Sequence, residues 1–225
     1  MWIPTDPWAM VLGADTPRLA LYEDGTRICI ARGGSGLATL LVSKLSPTDL
    51  DQELQRIQAL GTLSGLKRHY EMTRVTDQSS DQFYVDLGGG PPVVTEVYGL
   101  GARETAERLP DSLAALYQHL VRATCEGGVP WVPEHVEVML WPYEYAPQKS
   151  IRWPADWPGL DSPAARRRGD SYSIYLAGSK LSELRAFLKT RNEKGAVEVG
   201  GKKWAASYRY VFPSEPVWSK AFRQN

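Results

Sequence analysis

Two hydrophobic rhythms alternate along the chain. A period of two marks strands, because successive side chains of extended backbone point to opposite faces, and a period near 3.6 marks amphipathic helices. Leu19 and Leu21 on one side of Glu23-Asp24-Gly25, and Ile28 and Ile30 on the other, predict a hairpin whose glycine takes the positive φ of the turn. Gln82 to Leu87 and Val93 to Leu100, joined by Gly88-Gly89-Gly90-Pro91-Pro92, predict two more strands of a meander, and Ala196 to Val199 with Lys203 to Phe212 a third hairpin about Gly200-Gly201. In the last of these, Trp204, Ala206, Tyr208, Tyr210 and Phe212 share one strand face. Residues 1–18 carry no such rhythm and read as an irregular arm whose Trp2, Ile3, Trp8 and Val11 dock on the body.

The helical rhythm appears three times. Leu50, Leu54 and Ile57 form a stripe after Ser46, a good N-cap, with Pro47 suited to the first turn and Asp49 supplying negative charge there. After Pro110, Leu113, Leu116, Tyr117, Leu120 and Val121 recur at i, i+3, i+4, i+7 and i+8 until Gly127-Gly128. The third is Ser171 to Lys189, which reads as strand, tight turn and helix. It shares the tetrapeptide Ser-Lys-Leu-Ser (Ser179 to Ser182) with the earlier unit Ala38 to Ile57 (Ser43 to Ser46). The fold expected is α+β, with antiparallel sheets of about eight to ten strands and three main helices packed on one side. It forms a single compact domain over residues 1–225, and the shared tetrapeptide suggests pseudo-repeated halves, 19–125 and 130–218.

Residues 130–163 break the rhythm. Seven of the sixteen prolines and four of the eight tryptophans fall there, so the segment reads as a long proline-stiffened loop, running on to Arg166-Arg167-Arg168. Trp, Tyr and Arg dominate protein–protein hot spots because they join large contact area to a polar handle. Trp141, Tyr143, Tyr145, Trp153, Trp157, Arg166, Arg167 and Arg168 are therefore the candidate partner-binding residues. The competing reading turns the tryptophans inward to pin the loop.

Charge sharpens the picture only locally. The 225 residues carry no net formal charge, yet residues 1–125 hold 11 basic against 15 acidic side chains, and residues 149–225 hold 15 against 7. A basic C-terminal third is compatible with an anionic partner. However, no nucleic-acid-binding signature accompanies it, so nucleic acid is the weaker expectation. Two distant cysteines, Cys29 and Cys125, exclude a small disulfide scaffold and read as buried free thiols. No apolar run is long enough to span a membrane and no leader pattern opens the chain, so the expectation is a soluble, cytoplasmic protein.

Catalytic patterns are sparse. His69, His119 and His135 lie in no recognisable motif, there is no Gly-x-Ser-x-Gly elbow, and His135 beside Glu134 and Glu137 lacks metal-ligand spacing. Gly33-Gly34-Ser35-Gly36 lacks the lysine of a phosphate-binding loop, and Asp77 with Asp81 reads as a capped turn rather than a calcium loop. No catalytic residue, metal or cofactor is expected from motif alone. A hydrolase would need a histidine and a carboxylate brought together from distant positions.

The segments LYEDGTRI, KLSPTDLDQELQRI, TDQSSDQFYV, LPDSLAALYQHL, WPADWPGL and VFPSEPVW together resemble a loose group of bacterial hypothetical proteins from high-GC organisms. The resemblance implies fold and carries no activity; many of its members bear a leader that this chain lacks. The leading expectation is a non-catalytic module that binds one cognate protein, most concretely a bacterial toxin-neutralising, immunity-type protein. The alternatives are an enzyme with a non-local His/carboxylate site and a binder of nucleic acid or another anion.

Overall fold

A computed structural model describes residues 1–5, 16–31, 39–102 and 108–223. Trp8, Val11 and the Gly33 to Gly36 loop lie outside the described residues. The chain divides into two compact units, one of Met1–Met10, Asp15–Trp131 and Ser214–Asn225, the other of Val11–Ala14 and Val132–Pro213. The α+β expectation holds, with two sheets and helices packed against them.

In the first unit the elements are β1 (Trp2–Thr5), β2 (Leu19–Leu21), β3 (Thr26–Ile30), β4 (Leu40–Lys44), α1 (Pro47–Ala59), β5 (His69–Glu71), β6 (Ser80–Val85), β7 (Val93–Tyr98), α2 (Asp111–Arg122) and β8 (Val129–Pro130). The strands form one sheet in the order β5-β7-β6-β1-β2-β3-β4-β8. Gly25 takes φ +81° in the predicted hairpin, and a Cβ there would stand 2.8 Å from the Leu45 carbonyl oxygen, so the turn admits glycine on two counts. Ser46 caps α1 as expected: its Oγ accepts from the Asp49 amide at 3.2 Å and donates to the Asp49 carboxylate at 2.6 Å.

The N-terminal arm is corrected for residues 2–5. They form β1 in the sheet interior, between β2 and β6. The reason is Trp2, whose ring meets Tyr117 of α2 edge-on at 5.6 Å, while Phe83 meets the same tyrosine at 6.3 Å. Ile57 of α1 and Leu113, Leu116 and Leu120 of α2 complete this core. Ile3, Ala20, Ile28 and Leu40, on the opposite face of the sheet, are buried as well.

The second unit contains β9 (His135–Pro142), β10 (Gln148–Arg152), β11 (Ala165–Arg168), β12 (Ser171–Ala177), a turn of 3₁₀ helix (Gly178–Lys180), α3 (Leu181–Lys189), β13 (Gly195–Val199) and β14 (Lys202–Tyr210), with sheet order β10-β13-β14-β9-β12-β11. Val136, Val138 and Leu140 of β9 alternate toward α3, where Leu181 and Leu184 meet them with Ile174, Val197 and Trp204. The strand–turn–helix reading of 171–189 holds, yet the shared tetrapeptide is used differently in its two places. Ser43 and Lys44 end a strand and Ser46 caps a helix, whereas Ser179 lies in the 3₁₀ turn and Ser182 in the first turn of α3. Gly178 sits so close to Pro133 that a Cβ would fall 1.6 Å from its carbonyl oxygen.

Three further expectations are corrected. The long loop after Trp141 contains two strands, β10 and β11. The sheets are not wholly antiparallel: β10 runs parallel to β13 and β5 parallel to β7, pairings between segments too far apart for local periodicity to reveal. The described residues hold fourteen strands and four helices, the fourth being α4 (Glu215–Arg223), formed by the closing tail, with Trp218 buried. No helix among the described residues is long and apolar enough to cross a membrane.

The cysteines are not free thiols. Cys29 and Cys125 form a disulfide with Cα atoms 6.1 Å apart across 96 residues of sequence. The register places Cys29 on the sheet face that α2 covers, and the chain leaving α2 passes it. Closing so long a loop removes much of the disorder of the unfolded chain. Replacing both cysteines with serine is expected to lower the unfolding free energy by about 2–5 kcal/mol, measured by denaturant titration. Thiol titration of the unfolded wild type without reductant is expected to find no free thiol; finding two would refute the pairing.

Candidate functional site

The clearest chemically equipped constellation in the first unit joins α1 to α2. On α1, Glu53 lies three residues after Leu50 and four before Ile57, so helical geometry carries a carboxylate onto the stripe that faces the core. On α2, His119 follows Leu116 by three. His119 Nε2 lies 2.9 Å from Glu53 Oε1, with the two side chains 22% and 11% exposed. Arg56, one turn along α1, reaches Glu53 Oε2 at 3.5 Å. A carboxylate only accepts, so Nε2 carries the proton and donates it, and in the neutral ring Nδ1 keeps the lone pair. Among the described residues nothing bonds Nδ1. This is an oriented imidazole with a carboxylate behind it, a base able to take a proton from water. His69 and His135 are exposed; His135 has only Glu134 for a partner, at 3.7 Å.

The second unit buries a different carboxylate. Glu137, at the centre of β9, is 1% exposed, and its neighbours on three strands fill it. Ser173 Oγ of β12 donates to Oε1 at 2.5 Å, Arg168 of β11 reaches Oε1 at 3.1 Å, and Arg209 of β14 donates to Oε2. A desolvated carboxylate is tolerated only with such donors. Its acceptor capacity is spent on structure, so it is a poor candidate for acid–base work. Both Glu53 and Glu137 escape motif reading. Glu53 was legible as an acidic residue on an apolar stripe, and Glu137 as one sharing its strand face with Met139 and Trp141.

Asp81 is also corrected. It lies not in a turn but in β6, on the same face as Phe83 and Val85, and accepts from Trp2 Nε1 at 2.6 Å. Burial pushes its carboxyl above the ordinary carboxylate range, against the Trp2 hydrogen bond and the nearby Arg18 charge. Asp77 does occupy a turn, with φ +62°.

The eight predicted partner-binding residues separate. Trp157 is buried, its Nε1 donating to Glu183 at 3.2 Å, and Trp153 packs edge-on against it at 5.0 Å and against Phe187 at 5.8 Å. Those two pin the segment to α3. Trp141 and Tyr143 are half-buried, whereas Tyr145 is 96% exposed. Arg166, Arg167 and Arg168 are brought together on β11, all exposed.

Elsewhere in the first unit a groove of about 480 Å³ is bounded by Leu63, Leu66, Leu87, the Gly88–Gly90 turn and Arg68. None of the three histidines lines it. Among the described residues no three His, Cys, Asp or Glu side chains gather in a group that could hold a metal ion.

Replacing Glu137 with alanine is expected to destabilise the fold by about 3–5 kcal/mol, because Arg209, 12% exposed, is left without its charge partner. A loss below about 1 kcal/mol in chemical denaturation would reduce the cluster to a surface ion pair. Asp81→Asn tests the raised carboxyl. A pKa above the unfolded value, near 3.9, means that stability falls as pH rises from about 4 through the folded value. The variant lacks that loss. Its melting temperature relative to wild type is therefore expected to climb from pH 4 and level off, leaving it no less stable at pH 7. Lower stability at pH 7 would show the charge to be favourable. Compared with known proteins, the chain matches no family model, no curated protein and no solved structure.

Proposed function

We propose that the chain is a hydrolase-type enzyme in which His119, oriented by Glu53, acts as general base on water. One observation carries this reading: the 2.9 Å contact between His119 and Glu53, made by residues 66 positions apart, with Nδ1 unbonded on a ring that is 22% exposed. The carboxylate fixes the tautomer and stabilises the imidazolium formed when water gives up its proton, and water is the nucleophile. The test is hydrolysis of a panel of activated carboxylic and phosphoric esters by wild type, His119→Gln and Glu53→Gln, each confirmed as folded by its melting transition. General acid–base groups contribute about 10²–10⁴-fold, so His119→Gln is expected to fall by that much and Glu53→Gln by less. Wild type no faster than buffer, or variants equal to wild type, would remove the proposal.

A second reading is a non-catalytic module binding one cognate protein, of the toxin-neutralising kind. The exposed Tyr145 and the exposed arginines of β11 support it. The place of action is also a proposal. Disulfides persist where thiols are oxidised, so Cys29–Cys125 favours an oxidising compartment over the cytoplasm that the sequence alone suggests.

A further inference from the structure

Strand β11 ends its sheet, paired with β12 alone. The Tyr175 amide donates to the Ala164 carbonyl at 2.8 Å. In an antiparallel ladder bonded and non-bonded pairs alternate. With Arg166 opposite Ser173 and Arg168 opposite Ser171, those residues exchange bonds with β12, and the main-chain groups of Ala165 and Arg167 point away from it. The Ala165 amide is satisfied locally by the Ser162 carbonyl at 2.8 Å. The Ala165 carbonyl and both main-chain groups of Arg167 therefore face outward.

The side chains around this edge are already held. Arg166 lies over the Tyr175 ring at 5.5 Å, Arg168 bonds the hydroxyl of the same tyrosine at 3.2 Å and Glu137 at 3.1 Å, and Arg167 Nε donates to the Gly169 carbonyl at 2.9 Å. Each guanidinium spends one or two of its five donors this way and keeps the others. Fixing them in advance removes ordering entropy from any binding event. Three adjacent cations also repel another basic strand and disfavour indiscriminate apolar pairing, the usual hazard of an open edge.

We propose that β11 is a strand-addition site for an extended acidic segment of a partner protein, which pairs with Ala165 and Arg167 through its main chain and places carboxylates opposite Arg166 and Arg168. Such augmentation draws affinity from main-chain bonds and specificity from alternate side chains. This surface is independent of the chemistry proposed for the first unit, and it rests on the second reading only in giving that reading its partner's chemistry.

The probe is a capped, fluorescein-labelled peptide of alternating Glu and Val, titrated with the full chain and followed by anisotropy, with a Lys/Val peptide and a single-stranded oligonucleotide as competitors. The Glu/Val peptide is expected to bind, to weaken as salt rises and to resist the Lys/Val competitor. Arg167→Ala removes one charge, whereas Arg167→Pro also removes the outward amide at a position where an edge strand tolerates proline. The proline variant is expected to bind about tenfold more weakly than the alanine variant, with both keeping the wild-type melting temperature. Equal affinity of the two variants would overturn the proposal, as would no peptide binding, or an oligonucleotide that displaces the peptide and binds the proline variant undiminished. A protein partner whose complex is unaffected by Arg167→Pro would refute the edge while leaving the partner-binding reading in place.

Discussion

A carboxylate with almost no exposed surface sits at the centre of the second unit, and the surrounding strands are arranged to make that tolerable. Glu137 draws Ser173, Arg168 and Arg209 from three different strands. Leaving water is expensive for an ion, and only a filled set of donors offsets it. The consequence is register. A slip by one residue in β12 or β14 would remove Ser173 or Arg209 to the opposite face and leave the carboxylate unpaired. The apolar residues of β9 that face α3 give the unit its core, but they would accept a two-residue slip more readily than Glu137 does.

The first unit is fixed by other means. Trp2, Phe83 and Tyr117 interlock edge to face, and the disulfide joins the middle of the sheet to the chain leaving α2. Both devices connect residues that are far apart in sequence. Asp81 stands in the middle of them, hydrogen-bonded to Trp2 but held above its ordinary pKa by burial. Here the polar group is tolerated rather than required, which is why neutralising it and neutralising Glu137 have opposite consequences.

Local rhythm carried the fold a long way. The Asp24-Gly25 hairpin, the Ser46 cap, the Pro110 helix and the strand–helix unit at 171–189 were all legible, because each is decided by neighbours within a few residues. What escaped depends on distant partners. β1 needs β6, some eighty residues on; β10 needs β13; the disulfide needs a helix to carry one cysteine back to the other. The candidate sites divide in the same way. The arginine run was visible as composition, but its position on an open edge was not, since only the ladder shows which main-chain groups are left over. Glu53 and His119 were visible singly, and nothing in either helix pattern pairs them.

Unused bonding capacity separates structural from functional polar groups in this molecule. Glu137 has every oxygen occupied, Glu183 receives Trp157 and Lys180, and Arg185 bonds the hydroxyls of Tyr208 and Tyr210. Those groups hold shape and have little left for a ligand. His119 is different, because the acceptor-only carboxylate takes one nitrogen and leaves the other with a lone pair within reach of solvent. Arg167 is different in its main chain, whose donor and acceptor point outward beside guanidinium groups that are only partly engaged. Folding satisfies buried polar groups wherever it can. A group that is held in place yet not saturated can bind a second molecule with little reorganisation, and the two places where this chain leaves one lie in different units.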